Sequence, residues 1–280
     1  PRNSSSAASD VYKRQAVVEH YLPRGAGDAL PATPAGAVVA LAERLELLLS
    51  IFAKGERPTG SSDPYALRRA GNGVVQILWG MAWRLDLMAF LSNAVEEWAA
   101  LFPAFAVDAS QLHNDLCQLM RQRIVSQLED DGFAPDLVQA VAGDAVSSQR
   151  LLSDPLDVKQ RIQLLRDLRD SGQLDAVQAV VQRAAKLAEK GDLARDQLVA
   201  GEVVEAERFE SASEKDLFAA LEQLQPLAQQ RLYQALADAL VAATPALQAF
   251  FDGGTSVMVM VDNSALRLNR LNLLAVLRNQ

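Results

Sequence analysis

Apolar residues recur along this chain every three to four positions, the spacing that lines one face of a helix, rather than alternating as in a half-buried strand. The first strong run predicts a helix over 34–54. Thr33 can cap it, and Pro34 suits its first position, where a missing N–H costs nothing. Val38, Leu41, Leu45, Leu48 and Phe52 share one face, and Gly55 ends the run. After a loop with Pro58, Gly60 and Ser61, Asp63 is placed to cap a second helix that opens at Pro64 and continues through Leu67, Val74 and Leu78. Gly71 and Gly73 lie inside it. Each costs roughly 1 kcal/mol against alanine, so close helix packing is the expected compensation.

Further along, 109–130 reads as an amphipathic helix through Leu112, Leu116, Leu119 and Ile124. Asp154-Pro155 repeats the pattern of an acidic cap and a first-turn proline, and Val158, Ile162, Leu165 and Leu168 follow at helical spacing. Residues 189–216 differ in texture. Gly191, Gly201 and Ser211 interrupt an acidic stretch, which predicts an exposed connector. A long periodic run from Leu217 to Ala239 is expected to break into two helices at Pro226. Val257–Val261 reads as a short strand or a buried extended link, and Asp262 as the cap of a last helix over 264–279. The fold class is therefore all-α: a helical body over 16–172, then a helical bundle over 173–280.

Composition narrows the function. Half the residues are hydrophobic, and aromatics are 6%, which favours helix over strand. Asp plus Glu outnumber Lys plus Arg, 35 to 27, for a net charge of −8. Overall charge thus argues against non-specific nucleic-acid binding, and any RNA contact must come from a local basic surface. Cys117 is the only cysteine, so no intramolecular disulfide forms and a reducing compartment is expected. His20 and His113 are the only histidines, too few for a histidine-rich metal site. The most apolar window, 73–91, is interrupted by Arg84 and Asp86 and lacks the unbroken run of about 18 residues that a membrane helix needs. No Ser-His-Asp, Cys-His or paired-carboxylate pattern stands out, and no catalytic or metal-ligating residue is assigned. The opening fifteen residues, PRNSSSAASDVYKRQ, have no hydrophobic period and read as an adaptor-like segment outside the fold.

Three blocks carry a family resemblance: HYLPR-x-AGD at 20–28, PTGS-x-DPYALRRA at 58–70, and VMVM-x-D-x-x-ALR-x-NRL-x-LL at 257–274. Together they resemble the β subunit of bacterial-type glycyl-tRNA synthetase, and the chain looks like the rear part of that longer subunit. The resemblance implies an HD-like helical region at 16–100, a helical linker at 101–172, and a DALR-type anticodon-binding domain at 173–280. It implies a cytoplasmic enzyme of two α and two β subunits that joins glycine to tRNA-Gly. ATP and Mg are expected at the α subunit, none is expected to be bound by this chain, and the chain alone should not aminoacylate. Two other readings stand beside it: a helical assembly module that contacts only the α subunit, and a remnant of an HD-type metal phosphohydrolase.

The candidate residues carry competing readings. His20 sits where an HD-type domain would hold metal, but Glu43 and Glu46 stand where aspartates are expected, so a structural histidine is the simpler reading. Arg68 and Arg69 could pair with a carboxylate of the fold, or reach RNA phosphate or the partner subunit. On a helical wheel, Arg267 and Arg278 share the bearing of Leu271 and Leu274, with Arg270 one step aside, and no acid occurs from Ser264 to Gln280. These arginines either fix the helix onto acidic groups elsewhere or form a local basic surface for tRNA. On the second reading Asn269 and Asn272 could read exposed bases. Trp79, Trp83 and Trp98 are expected in the core.

Overall fold

A computed structural model describes residue 11 and residues 13–252 and 254–280. Most of the segment set aside at 1–15, and Gly253, lie outside the described residues. Among these residues no strand forms; Thr59 and Ser62 make an isolated antiparallel bridge. The chain divides into two compact units that meet in sequence at Ile162 and Gln163. That division falls within a helix, ahead of the boundary at 172/173 placed from sequence.

In the first unit, helical residues 13–19 precede α1 (Pro34–Ala53), α2 (Leu67–Gly80), α3 (Leu87–Leu101), α4 (Ala109–Asp130), α5 (Pro135–Ala142), α6 (Ser148–Leu152) and the start of α7 (Pro155–Asp170). Helix α4 is the hub, touching α1, α2, α3, α5 and α6. Its Leu112, Leu116, Leu119, Met120, Ile124 and Leu128 are buried. Thr33 caps α1 as expected, its hydroxyl accepting from the Gly36 N–H at 3.0 Å. The buried face of α1 is Ala37, Ala40, Arg44, Leu45, Leu48 and Phe52, whereas Val38, expected on that face, is 56% exposed. A charged residue sits on the face and a valine off it, because Arg44 finds carbonyl partners inside.

Asp63 also caps, but α2 opens at Leu67 rather than at Pro64. Ala66, in the left-handed region at φ 54°, closes a turn first. The carboxylate then accepts from the N–H groups of Leu67 (2.8 Å) and Arg68 (3.0 Å). At α7, Asp154 accepts from the Asp157 N–H as expected.

The second unit holds the rest of α7, then α8 (Leu174–Ala188), α9 (Ala212–Gln229), α10 (Tyr233–Phe251) and α11 (Ser264–Asn279). Helix α9 packs on α10, and α11 packs on α8 and α9. Leu217, Leu221, Leu224, Phe250, Leu273 and Leu274 form its core. Pro226 does not break the helix, contrary to the expectation. It lies inside α9, which is held by buried Leu221 and Leu224, and the turn comes at Arg231, where φ is 54°. Val257–Val261 is an irregular link that bends at Val259 and Met260, with Val259 buried and Met258 and Met260 exposed. The cap of α11 is Asn263, one residue after the expected Asp262; its Oδ1 accepts from the Ala265 and Leu266 N–H groups.

Candidate nucleic-acid interface

In the last helix the structure decides what the helical wheel could not. Arg270 is 5% exposed. Its Nε donates to Glu214 Oε1 at 2.7 Å, its Nη2 to Glu210 Oε2 at 2.9 Å, and its Nη1 to the Met258 carbonyl at 3.1 Å. Glu214 has no exposed surface and also completes the α9 capping box. Its Oε2 accepts from the Ser211 N–H (2.9 Å) and the Glu210 N–H (2.8 Å). Burial alone would raise the Glu214 carboxyl. The bonds from Arg270 and the two N–H groups outweigh it and hold the carboxyl below its ordinary value. A guanidinium so enclosed has no face left for phosphate.

The asparagines are engaged in the same way. Asn269 is buried; its Oδ1 accepts from the Glu205 N–H at 2.7 Å and its Nδ2 donates to the Glu205 carbonyl at 3.0 Å. Asn272 Nδ2 donates to the Val203 carbonyl at 2.8 Å. Arg278 Nη2 donates to the Leu193 carbonyl, and Asn279 Nδ2 to those of Ala194 and Gln197. These bonds correct two expectations. Arg270 and Asn269 are buried fold residues rather than surface readers, and Asn272, partly exposed, spends its Nδ2 on the backbone. The stretch 189–216 is not a free connector, since the polar side of α11 satisfies its backbone and Ala200 and Val204 are buried.

Of the α11 set, Arg267, Asn272 and Arg278 keep partial exposure. Arg267 donates from Nη1 to the Val261 carbonyl at 3.2 Å. Burial, and then the neighbouring Arg195 charge, push Arg278 below its ordinary value. Arg195 is exposed, so it adds a cation to that end of α11.

In the first unit, Arg44 binds four carbonyls, those of His20, Ala40, Tyr21 and Pro23, at 2.7–3.2 Å. It thereby clamps the HYLPR block against α1. Gly73 makes this possible: a Cβ there would lie 2.4 Å from Arg44 Nε. Gly71 likewise leaves room for Arg123, whose Cγ would stand 2.7 Å from an added Cβ. The two glycines admit arginine side chains rather than a neighbouring backbone. His20 hydrogen-bonds the Val17 carbonyl at 2.6 Å and stacks on Tyr21. Among the described residues no three of His, Cys, Asp and Glu converge as a metal would require. His113 pairs with the Met88 carbonyl and with Cys117, whose buried thiol is pushed up to about 11. Trp98 is buried and Trp79 and Trp83 partly so; Trp79 Nε1 donates to the Pro155 carbonyl at 2.8 Å.

Arg68 and Arg69 stand on the first turn of α2, half-buried and exposed respectively. Among the described residues neither guanidinium has a hydrogen-bond or ion-pair partner. They line a cavity of about 350 Å³ with Pro23, Gly25, Asp63 and Asn72.

A model of the glycyl-tRNA synthetase beta subunit family matches residues 6–143. Beyond that stretch, the glycine–tRNA ligase beta subunit of Picosynechococcus sp. is 44% identical over 271 residues, covering 95% of this chain. This chain belongs to the glycyl-tRNA synthetase beta subunit family. The corresponding subunits of Acaryochloris marina and Acinetobacter baumannii are 43% and 35% identical, over 94% and 95% of the chain. The chain spans about 37% of the length of the relatives it matches. No helix among the described residues is long and apolar enough to cross a membrane.

Sequence reasoning passed over two cations that the fold brings to the candidates: Arg24, which lines a cavity with Arg69, and Arg195, beside Arg278. Arg24 lies in the HYLPR block, 45 residues before Arg69, so nothing local along the chain links the two. Arg195 had no signal either, because it stands in the stretch read as a connector.

Proposed function

We propose that this chain serves glycine–tRNA ligase as a tRNA-holding part of the β subunit, positioning tRNA-Gly while an α subunit performs ATP- and Mg-dependent glycylation. The similarity to glycine–tRNA ligase beta subunits over 95% of the chain carries this reading. The cations left available by the fold are consistent with it: Arg68 and Arg69 in the first unit, Arg267 and Arg278 with Arg195 in the second. In this reading the second unit is the anticodon-binding module, the assembly is a cytoplasmic tetramer of two α and two β subunits, and the chain alone does not aminoacylate. Weak contacts tied to one tRNA then sum through effective concentration.

The test is binding of the full chain to tRNA-Gly and to a non-cognate tRNA across a salt series. Preference for tRNA-Gly that weakens with salt, and a smaller salt slope in Arg267→Gln, is expected. Equal or absent binding by a folded chain overturns the reading.

A further inference from the structure

We infer that the cleft between the Pro23–Gly25 turn and the first turn of α2 is a phosphate site for a ribonucleotide chain, with Arg24, Arg68 and Arg69 as its cations. The choice of RNA as ligand rests on the function proposed above; the site itself rests on the geometry that follows.

Two adjoining cavities, of about 350 and 450 Å³, share Pro23, Ala66 and Arg69. Arg68 lines the first and Arg24 the second, so Arg69 stands on the wall common to both. The scaffold is rigid. Arg44 clamps the carbonyls of residues 20, 21 and 23, and Asp63 caps α2 with both carboxylate oxygens engaged by N–H groups. Asp63 therefore lines the first cavity with its carboxylate held by backbone donors rather than by a guanidinium.

The charge balance there is unusual for an acidic chain. Arg68 and Arg69 have no partner among the described residues, and Arg24 touches Asp28 only at 3.8 Å while 78% of its side chain is exposed. Behind them, burial and then repulsion by Arg68 push Arg123 below its ordinary value, and its buried Nε has no hydrogen-bond partner. Asp63 and Asp130 offset part of that repulsion, but among the described residues no carboxylate pairs with Arg68 or Arg69, so entry of an anion is favoured. Glu43 and Glu46 line the outer cavity, but the Glu46 carboxylate accepts from Ser50 at 2.5 Å.

Asn72 narrows the ligand class. It lines the first cavity, and its buried Oδ1 has no hydrogen-bond partner. An acceptor left this way costs about 1–3 kcal/mol. A carboxylate brings acceptors alone; inorganic phosphate keeps a P–OH donor near neutral pH, so a binding test must separate it from a ribonucleotide. A ribonucleotide brings phosphate oxygens for the guanidinium forks and a hydroxyl donor for the amide.

The test uses the full chain with a fluorescent hexauridylate, followed by anisotropy and by NMR of the arginine Nε–H and asparagine side-chain amide resonances. Hexauridylate should shift the Arg68, Arg69 and Asn72 resonances. Arg68→Gln with Arg69→Gln should weaken binding at least tenfold, and Arg69→Lys, which keeps charge without the fork, by less. All three side chains are unpaired, so thermal unfolding should be unchanged, and it is measured alongside. Inorganic phosphate that binds at these residues while hexauridylate does not would mark a free-anion site and overturn the assignment. So would hexauridylate binding that ignores the Arg68→Gln and Arg69→Gln changes. If tRNA-Gly binding survives both substitutions, this site falls and the proposed function stands on the second unit. If hexauridylate uses this site while tRNA-Gly is bound no better than a non-cognate tRNA, the site stands and the proposed function falls.

Discussion

Arg270 and Glu214 form a buried ion pair at 2.7 Å that joins the last helix to the capped start of α9, with Arg270 5% exposed and Glu214 not exposed at all. Such a pair need not stabilise against an apolar alternative, but breaking one side is costly, because the remaining charge stays buried and unmatched.

Arg270→Ala is therefore expected to destabilise the second unit by about 3–5 kcal/mol. Arg270→Met combined with Glu214→Gln should recover much of that loss. Urea unfolding followed by far-UV circular dichroism measures both. At equal folded concentration tRNA affinity should not change, whereas Arg267→Gln should lower it.

The same pair sets a pH dependence. The Glu214 carboxyl lies below its ordinary 4.5, as does that of Glu19, where bonds from Thr33 and Gln15 outweigh the effect of burial. Carboxyls depressed on folding contribute stability that is present above the unfolded value near 4.5 and lost as pH falls through the lower folded value. Urea midpoints should hold from pH 7 to 5 and drop below about 4.5, less steeply in Glu214→Gln. All three tryptophans, Trp79, Trp83 and Trp98, lie in the first unit. Their fluorescence should follow the Glu19 part and not the Glu214 part.

Asn269→Ala removes the partner of the Glu205 N–H and one of two donors to the Glu205 carbonyl, which keeps the Arg208 N–H. The expected cost is about 1–3 kcal/mol. Hydrogen exchange should show it locally, with amides in 193–211 exchanging faster and those of the α9 core protected as before. Uniform exchange across both regions would contradict the role assigned to Asn269.

Gly73→Ala tests the clamp in the first unit. Alanine gains about 1 kcal/mol of helix propensity. The added Cβ would meet Arg44 Nε at 2.4 Å and Cδ at 2.8 Å, and Arg44 is held by four carbonyls. Displacing it should outweigh the gain, for a net loss of about 1–2 kcal/mol, read as a lower melting temperature by tryptophan fluorescence.

Local chemistry was enough for the helices, and it failed where partners are distant. Thr33, Asp63 and Asp154 cap within a few residues of where they stand, so their roles were readable along the chain. The apolar spacing of α4 and of α9 likewise marked what each would bury. Where local rules missed, a long-range contact had overridden them. Val38 lies outside the core because Arg44 takes the inward position, and Pro226 stays helical because the leucines before it are packed.

By itself the sequence determined the fold class, the caps at Thr33, Asp63 and Asp154, and the family, since each is written in residues near one another or in short blocks. The tertiary structure alone decided which polar residues are spent inside. Arg270 meets Glu214 across 56 residues of chain, and Asn269 meets Glu205 across 64. No periodicity encodes such pairings, because a buried charge is tolerable only where folding brings its partner to it. The same reason leaves Arg68 and Arg69 outside: among the described residues no acid comes close enough to pair with either guanidinium, although Asp63 lines the same cavity.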